Sequence, residues 1–463
     1  MIKDMTVGNP TKLLLQFSIP LLIGNIFQQC YNMADTAIVG RTLGDEALAA
    51  VGTTGAVMFL VFGFFFGLTN GLAVITAQRF GAGDFDGVRR SVTTSTILCT
   101  IITVFMTVLC VLLCRPMLEW MNTPDNIIEN SYRYLVVIFA GTWTIVFYGM
   151  ISSIIRALGD SVTPLVFLIV ASLLNVALDY LFILYFQSGV AGAGWATVIS
   201  QAVSGFLCLF YVSRKFPILK LKRSDWKLDL PFCLEHLRVS VPMALQFSIT
   251  AVGVVILQTV LNSFGSVSIA AYTVASKIEQ IAIQPLFSFS IAMATFTAQN
   301  YGAGNLERIR KGVWKCSAIS ILFSIGMGAF LIFFASPLTR LFLKTEHPET
   351  LEEIVHGSQI FLNTSASCYI ILGMLLIYRN VLQGMGHSFI PMMAGAAELV
   401  LRIVGALLLA RYLGYLGVCL SNPLAWVGAT LMLWIDYLLV MRTLRKRQIH
   451  PESPLTFRDA PLS

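Results

Sequence analysis

The chain has 463 residues, of which 56% are hydrophobic and only 12% charged, and its mean hydropathy is +0.78. A soluble globular domain carries about 25% charged residues, so this composition predicts an all-α integral membrane protein with most of its mass in the bilayer. It excludes a secreted disulfide scaffold, and the net charge of +7 reflects cytoplasmic loops rather than a nucleic-acid surface.

A helix needs about 20 mostly apolar residues to cross a bilayer. On that ruler the first spans fall at 13–39, 47–78, 88–113, 128–156, 162–186 and 191–213. Lys3 and Lys12 precede the first apolar run as in a signal peptide, but the run continues to about Val39, so it reads as a retained span. The most charged internal segment, 214–232, follows. Six more spans are expected at 234–262, 268–299, 311–335, 354–383, 388–411 and 416–441. The chain therefore divides into an amino-terminal six-helix lobe (1–213), a linker loop (214–232), a carboxyl-terminal six-helix lobe (233–444) and a tail (445–463). With both termini on one side, that side collects most of the 31 Lys and Arg, Arg379 among them. The opposite side holds only Arg41, Arg115, Arg133, Arg340, Lys344 and Arg411. Positive charge stays inside, so both termini and the linker are expected in the cytoplasm of a multi-pass inner (plasma) membrane protein.

The halves repeat each other. Thr76-Ala77-Gln78-Arg79-Phe80-Gly81-Ala82-Gly83-Asp84 returns as Thr297-Ala298-Gln299-Asn300-Tyr301-Gly302-Ala303-Gly304-Asn305. Pro20 matches Pro242, and Gly159-Asp160-Ser161 with Pro164 matches Gly386-His387-Ser388 with Pro391. Six spans per half make this a parallel repeat about an axis along the membrane normal, an arrangement found in secondary transporters. The repeated glycines lie between two helices, not after a strand, and no Gly-x-x-x-x-Gly-Lys-Ser/Thr occurs. They read as helix caps and turns, and ATP is not expected to bind. Most of the 9 Cys sit in apolar runs without metal spacing and the 5 His are scattered, which argues against a metal enzyme.

Inside the first span, Asn25, Gln28, Gln29, Asn32, Asp35 and Thr36 fall on one helical face. A carboxylate in such a stripe is costly in low dielectric and is a functional-site candidate. The next intramembrane acid is Asp179, which shares a face with Asn175 at i, i+4. Thr197 and Tyr148 are further oxygen donors of the first half. Two carboxylates with an amide and a hydroxyl suit a shared proton or a hard monovalent cation such as Na⁺, and such a pair titrates as a unit. The alternative is that Asn175 and Asp179 only hydrogen-bond between helices. The second half is not a copy: Asp35 aligns with Leu257 or Gln258, and acids appear instead at Glu279 and Glu398. Glu398 and Arg402 are i, i+4 and are expected to pair structurally. Gln28, Asn32, Tyr148, Gln258, Glu279, Gln280 and Gln284 are the candidate substrate-cavity residues. Pro20, Pro242, Pro285, Pro423 and the Gly63, Gly67, Gly71 series suit helices that kink and approach closely.

The run from Pro20 through Asn25, Gln28, Asn32 and Asp35 to Val39-Gly40 resembles the multidrug and toxic compound extrusion (MATE) transporters of bacterial type, within the MOP flippase superfamily. So do the two Ala-Gln-x-x-Gly-Ala-Gly loops, Arg156-Ala157-Leu158-Gly159-Asp160 and Gly192-Ala193-Gly194-Trp195-Ala196-Thr197. The resemblance implies two six-helix lobes around a V-shaped central cavity, and export of organic cations driven by H⁺ or Na⁺ entry. It implies a cation site at the positions of Asp35, Asn175, Asp179 and Thr197, and a substrate or cation role for Glu279. The expected function is a monomeric multidrug antiporter in contact with membrane lipids, without a cofactor beyond its coupling ion. The alternatives are a lipid-linked precursor flippase, which would need a cationic cavity, and an intramembrane aspartyl enzyme using Asp35 and Asp179.

Overall fold

A computed structural model describes residues 3–343 and 348–449. The first half runs through α1 (Pro10–Leu43), α2 (Asp45–Gly81), α3 (Phe85–Trp120), α4 (Asp125–Ala140), α5 (Thr142–Ala157), α6 (Val162–Tyr180) and α7 (Gly189–Lys215). A π-helical turn, Leu181–Tyr185, continues α6, and two 3₁₀ turns occupy the linker. The second half comprises α8 (Leu230–Asn262), α9 (Gly265–Ala282), α10 (Gln284–Gly302), α11 (Leu306–Phe342), α12 (Pro348–Ser367), α13 (Tyr369–Gly384), α14 (Phe389–Leu413) and α15 (Tyr415–Ile449). No strand occurs among the described residues. The expected tail begins as helix, since α15 continues to Ile449; 450–463 and Lys344 lie outside the described residues.

Nine helices of the described chain are long and apolar enough to cross a membrane. Three further spans are bent pairs: α4 with α5 at 47°, α9 with α10 at 42°, and α12 with α13 at 51°. Counting each pair as one span gives the twelve expected. The first and third breaks, at Gly141 and Cys368, are repeat counterparts. The second has no counterpart, because α2 runs unbroken for 37 residues. Its cause is Pro285, which sits in the first turn of α10 and cannot donate back into α9.

The repeated loops are built alike. The N–H of Asp84 bonds to the carbonyl of Arg79 at 3.0 Å, and that of Asn305 to the carbonyl of Asn300 at 2.9 Å. Each needs the glycine before it, Gly83 at φ 72° or Gly304 at φ 70°, in the left-handed region. Asp84 and Asn305 then cap the next helix by accepting from the N–H groups of Gly87 at 2.8 Å and Arg308 at 3.1 Å.

The chain packs into two compact units that do not follow the order of the sequence. One comprises Met1–Asp4 and Ile19–Ala244; the other comprises Met5–Ser18 and Leu245–Ser463. The opening segment and the start of α8 are therefore each held by the repeat motif of the opposite half. In the second unit, buried Met5 donates its N–H to Gln299 Oε1 at 2.8 Å and accepts at its carbonyl from Asn300 at 3.1 Å. Arg308 donates to the carbonyls of Met5 and Gly8. In the first unit, fully buried His236 on α8 meets Ser91 on α3 at 2.8 Å, and Ser91 meets Thr76 on α2 at 2.8 Å. The other ring nitrogen of His236 donates to the Phe232 carbonyl, which assigns the proton to Nδ1. Arg79–Glu235 and Arg90–Asp229 ion pairs flank this chain of hydrogen bonds.

Gly67 and Gly71 on α2 admit the backbone of α8. A Cβ at Gly67 would lie 2.4 Å from the Met243 carbonyl oxygen, and one at Gly71 2.5 Å from the Ser240 Cα. Gly55, on the same helix, faces open space. Gly71→Val is expected to destabilise the protein by about 3 kcal/mol through overpacking, whereas Gly55→Ala is neutral or stabilising by up to about 1 kcal/mol. Thermal unfolding in detergent reads both, and equal effects would contradict the packing described.

Candidate functional site

The polar stripe on α1 divides in the fold. Gln28 donates to Asn32 at 3.2 Å, and the Thr36 hydroxyl donates to the Asn32 carbonyl at 2.8 Å, all on an exposed face. Asp35 lies at the edge of that stripe, on the side of Tyr31, and turns into the first unit. There α6 presents Asn175 and Asp179, both with 0% exposure. The Asp35 and Asp179 carboxyl groups face one another within hydrogen-bonding reach. Asn175 donates to Thr197 Oγ1 on α7 at 3.2 Å, and the Thr197 hydroxyl in turn donates to the Ala193 carbonyl at 3.1 Å. The Tyr31 hydroxyl lies beside Thr197 and Asp35, and Tyr134 of α4 completes the wall.

Small residues make this convergence possible. On α7, a Cβ at Gly192 would sit 3.1 Å from Phe182 and one at Gly194 3.1 Å from Val137, so α7 lies close to its neighbours. The π-turn that follows Asp179 widens the end of α6; such turns recur at functional sites.

The chemistry of the site lies in what its oxygens lack. Asp35 Oδ1, both carboxylate oxygens of Asp179 and Asn175 Oδ1 are buried and accept no hydrogen bond from any described residue. A buried carboxylate without a donor or counter-charge is strongly unfavourable. The set is satisfied by a proton shared between the two acids, or by a small hard cation taking carboxylate, amide and hydroxyl oxygens. Among the described residues no cluster of three or more His, Cys, Asp or Glu is arranged for a metal ion.

The other sequence candidates occupy three further places. Tyr148 is turned away from the acids: its hydroxyl donates to the Pro164 carbonyl at 2.7 Å. Gln258 donates to Asn262 at 3.0 Å on an exposed face of α8, the same i, i+4 pairing that α1 shows. Glu279 is 9% exposed at the end of α9, one turn before the Pro285 bend, with its carboxyl facing Ser365 and Tyr369. It lines a cleft of about 270 Å³ with Ser276, Lys277, Gln280 and Ile283. Gln284 opens α10, its carbonyl accepting from Ser288 at 2.9 Å.

Glu398 and Arg402 do pair, at 2.9 Å, but a third member joins them. Arg379 of α13 reaches the other Glu398 oxygen at 2.8 Å. Sequence reasoning placed Arg379 on the cytoplasmic side and missed it, because only the packing of α13 against α14 brings the two together. Tyr31 and Tyr134 were missed for a similar reason. An aromatic in an apolar span carries no signal of its own, although Tyr31 stands one turn before Asp35.

Acids and amides held inside apolar helices, on a scaffold built twice from six spans, define a membrane transporter rather than an enzyme. The MatE family model matches residues 20–181 and 242–408, and the chain belongs to that family. It is 26% identical over 437 residues to the probable multidrug resistance protein YpnP of Bacillus subtilis (strain 168), covering 94% of this chain and 96% of that protein. It is also 26% identical to the probable multidrug resistance protein NorM of Thermotoga maritima, covering 90% and 88%. A crystal structure of MATE in complex with MaL6 superimposes with a TM-score of 0.88 at 25% identity, covering 96% of this chain and 99% of that one.

The site separates two hydroxyls by role. Thr197→Val removes the acceptor of the Asn175 amide and is expected to cost about 1–3 kcal/mol, and to abolish any stabilisation by a bound cation. Tyr148→Phe loses the bond to the Pro164 carbonyl and the contact with Ser152, costing about 1 kcal/mol, and leaves the cation response intact. Unfolding midpoints with and without added Na⁺ test the pair.

Proposed function

We propose that this chain is a secondary antiporter that exports amphiphilic organic cations, drugs among them, in exchange for H⁺ or Na⁺. The observation that carries the reading is the enclosed set of unpartnered oxygens at Asp35, Asn175 and Asp179. Among the described residues no basic side chain bonds to it, so its free energy depends on whether a mobile cation is present. An ion can drive a conformational cycle only by binding two states with different affinity. A site closed around buried carboxylates has that property, because an empty site is penalised most where water is excluded.

Substrate binding is assigned, within the second unit, to the Glu279 cleft, and the exposed amides of Gln28 and Asn32 in the first unit are a separate candidate. The cleft of about 270 Å³ offers a cationic drug the Glu279 carboxylate, the polar groups of Ser276 and Gln280 and the apolar side chain of Ile283, with the Lys277 ammonium on the same wall for an anionic substituent. The names of the relatives, probable multidrug resistance proteins, support the same substrate class. The excess of Lys and Arg on one side supports cytoplasmic termini in a cell membrane.

The test is efflux of a fluorescent cationic dye from vesicles containing the purified protein, with a pH gradient and a Na⁺ gradient imposed separately. One of the two gradients is expected to drive dye movement. Asp35→Asn is expected to reduce the driven rate at least tenfold while the protein remains inserted and monodisperse. Unchanged dye movement in that variant would overturn the assignment.

A further inference from the structure

The internal repeat can be followed to single positions. Gly159 and Pro164 recur 227 residues later as Gly386 and Pro391. The helices keep the same shift: α5 opens at Thr142 and α13 at Tyr369, α6 at Val162 and α14 at Phe389. On this register the counterpart of Asn175 in the carboxylate site is Arg402. The counterpart of Ala171 is Glu398, and that of Ser152 is Arg379. For α1 and α8 the shift is 222, set by Pro20 and Pro242, and the counterpart of Tyr31 is Gly253.

These substitutions act together. The Arg402 guanidinium lies against α8 where the backbone carries no side chain: a Cβ at Gly253 would stand 2.6 Å from Arg402 Nη1. The room that Tyr31 fills in the first unit is given to a guanidinium in the second. Arg379 and Arg402 each donate one Nη2 to Glu398, at 2.8 and 2.9 Å. Their side chains are only 11% and 8% exposed. The Nε atoms of both are buried and have no partner among the described residues. Two guanidinium groups against one carboxylate leave one positive charge and the two buried Nε donors unanswered among the described residues. A surplus buried charge of this kind is expensive unless something of opposite sign joins it. Within the unit, Tyr272 lies near both Arg402 and Glu279, but the Glu279 carboxyl faces Ser365 and Tyr369. Gln246 and Gln383, which could supply oxygens, bond to each other at 2.7 Å.

We propose that Arg379 and Arg402, beside Glu398, form a binding site for a monovalent anion: free chloride, or the carboxylate group of a transported zwitterion. The planar fork of each guanidinium suits a small anion or a carboxylate edge. The second unit then carries the charge-reversed counterpart of the oxygen site in the first. An anion held there cancels the surplus charge, so its binding stabilises the folded protein by mass action.

The experiment uses the purified full-length protein in detergent. Its unfolding midpoint is followed as sodium isethionate, a bulky sulfonate, is replaced at constant ionic strength by sodium chloride or by sodium acetate. A saturable rise of about 2 °C or more is expected with at least one of the two. The anion that saturates at the lower concentration distinguishes chloride from a carboxylate. Arg402→Gln is expected to abolish the rise, while Asp35→Asn, in the other unit, retains it. Absence of a saturable response to either anion in the unaltered protein would overturn the proposal, and this result needs no variant to fold. A full response in Arg402→Gln would overturn it equally. Because the readout is stability, the outcome is independent of whether the cation exchange proposed for the first unit is found.

Discussion

A carboxylate placed among apolar helices has to be answered by a proton, a cation or a guanidinium, because no water is there to solvate it. The two units give different answers to this constraint. In the first, Asp35 and Asp179 face each other with no base bonded to them among the described residues, next to the Thr197 hydroxyl and to Asn175, whose amide oxygen is also unpartnered there. In the second, Glu398 is clamped between Arg379 and Arg402, and its charge is answered permanently. One repeated scaffold thus carries one pair of acids with no basic partner among the described residues and one acid clamped by two guanidinium groups.

The scaffold is held by the parts that do not change. The Thr-Ala-Gln motifs end α2 and α10 in the same left-handed glycine turn and cap the next helix in the same way. Each motif grips a segment from the far end of the other half: Gln299 and Asn300 hold Met5, while Thr76 and Arg79 hold the start of α8 through Ser91, His236 and Glu235. The most visible repeat in the sequence therefore marks anchoring points. The repeat also breaks. Pro285 bends one half and has no counterpart in α2, and Glu279 sits one turn before that bend.

Much of this was legible in the chain alone. Apolar runs of about 20 residues marked twelve spans, and the Lys and Arg bias proposed an orientation. The i, i+4 spacing of Asn175 with Asp179 and of Glu398 with Arg402 put each pair on one face before any fold was known. Asp35 stood out for its cost in an apolar segment. These are properties of composition and local helical geometry, which a single chain carries wherever it folds.

Tertiary structure decided what each polar group meets. Periodicity placed Asp35 in one stripe with Gln28 and Asn32, yet packing against α6 and α7 turned it inward and left the other two outside. Tyr148 looked like a site residue, but its hydroxyl is spent on the Pro164 carbonyl. Arg379 looked like a cytoplasmic charge until α13 brought it to Glu398. The sequence could also not reveal that Met5–Ser18 packs with the second half and the start of α8 with the first. Helical spacing sets which residues share a face at no cost in chain separation, so it is written locally. Which face meets which neighbour depends on contacts between separate helices, from 16 positions apart for Tyr148 and Pro164 to more than a hundred for Asp35 and Asp179, and only the packed chain determines those.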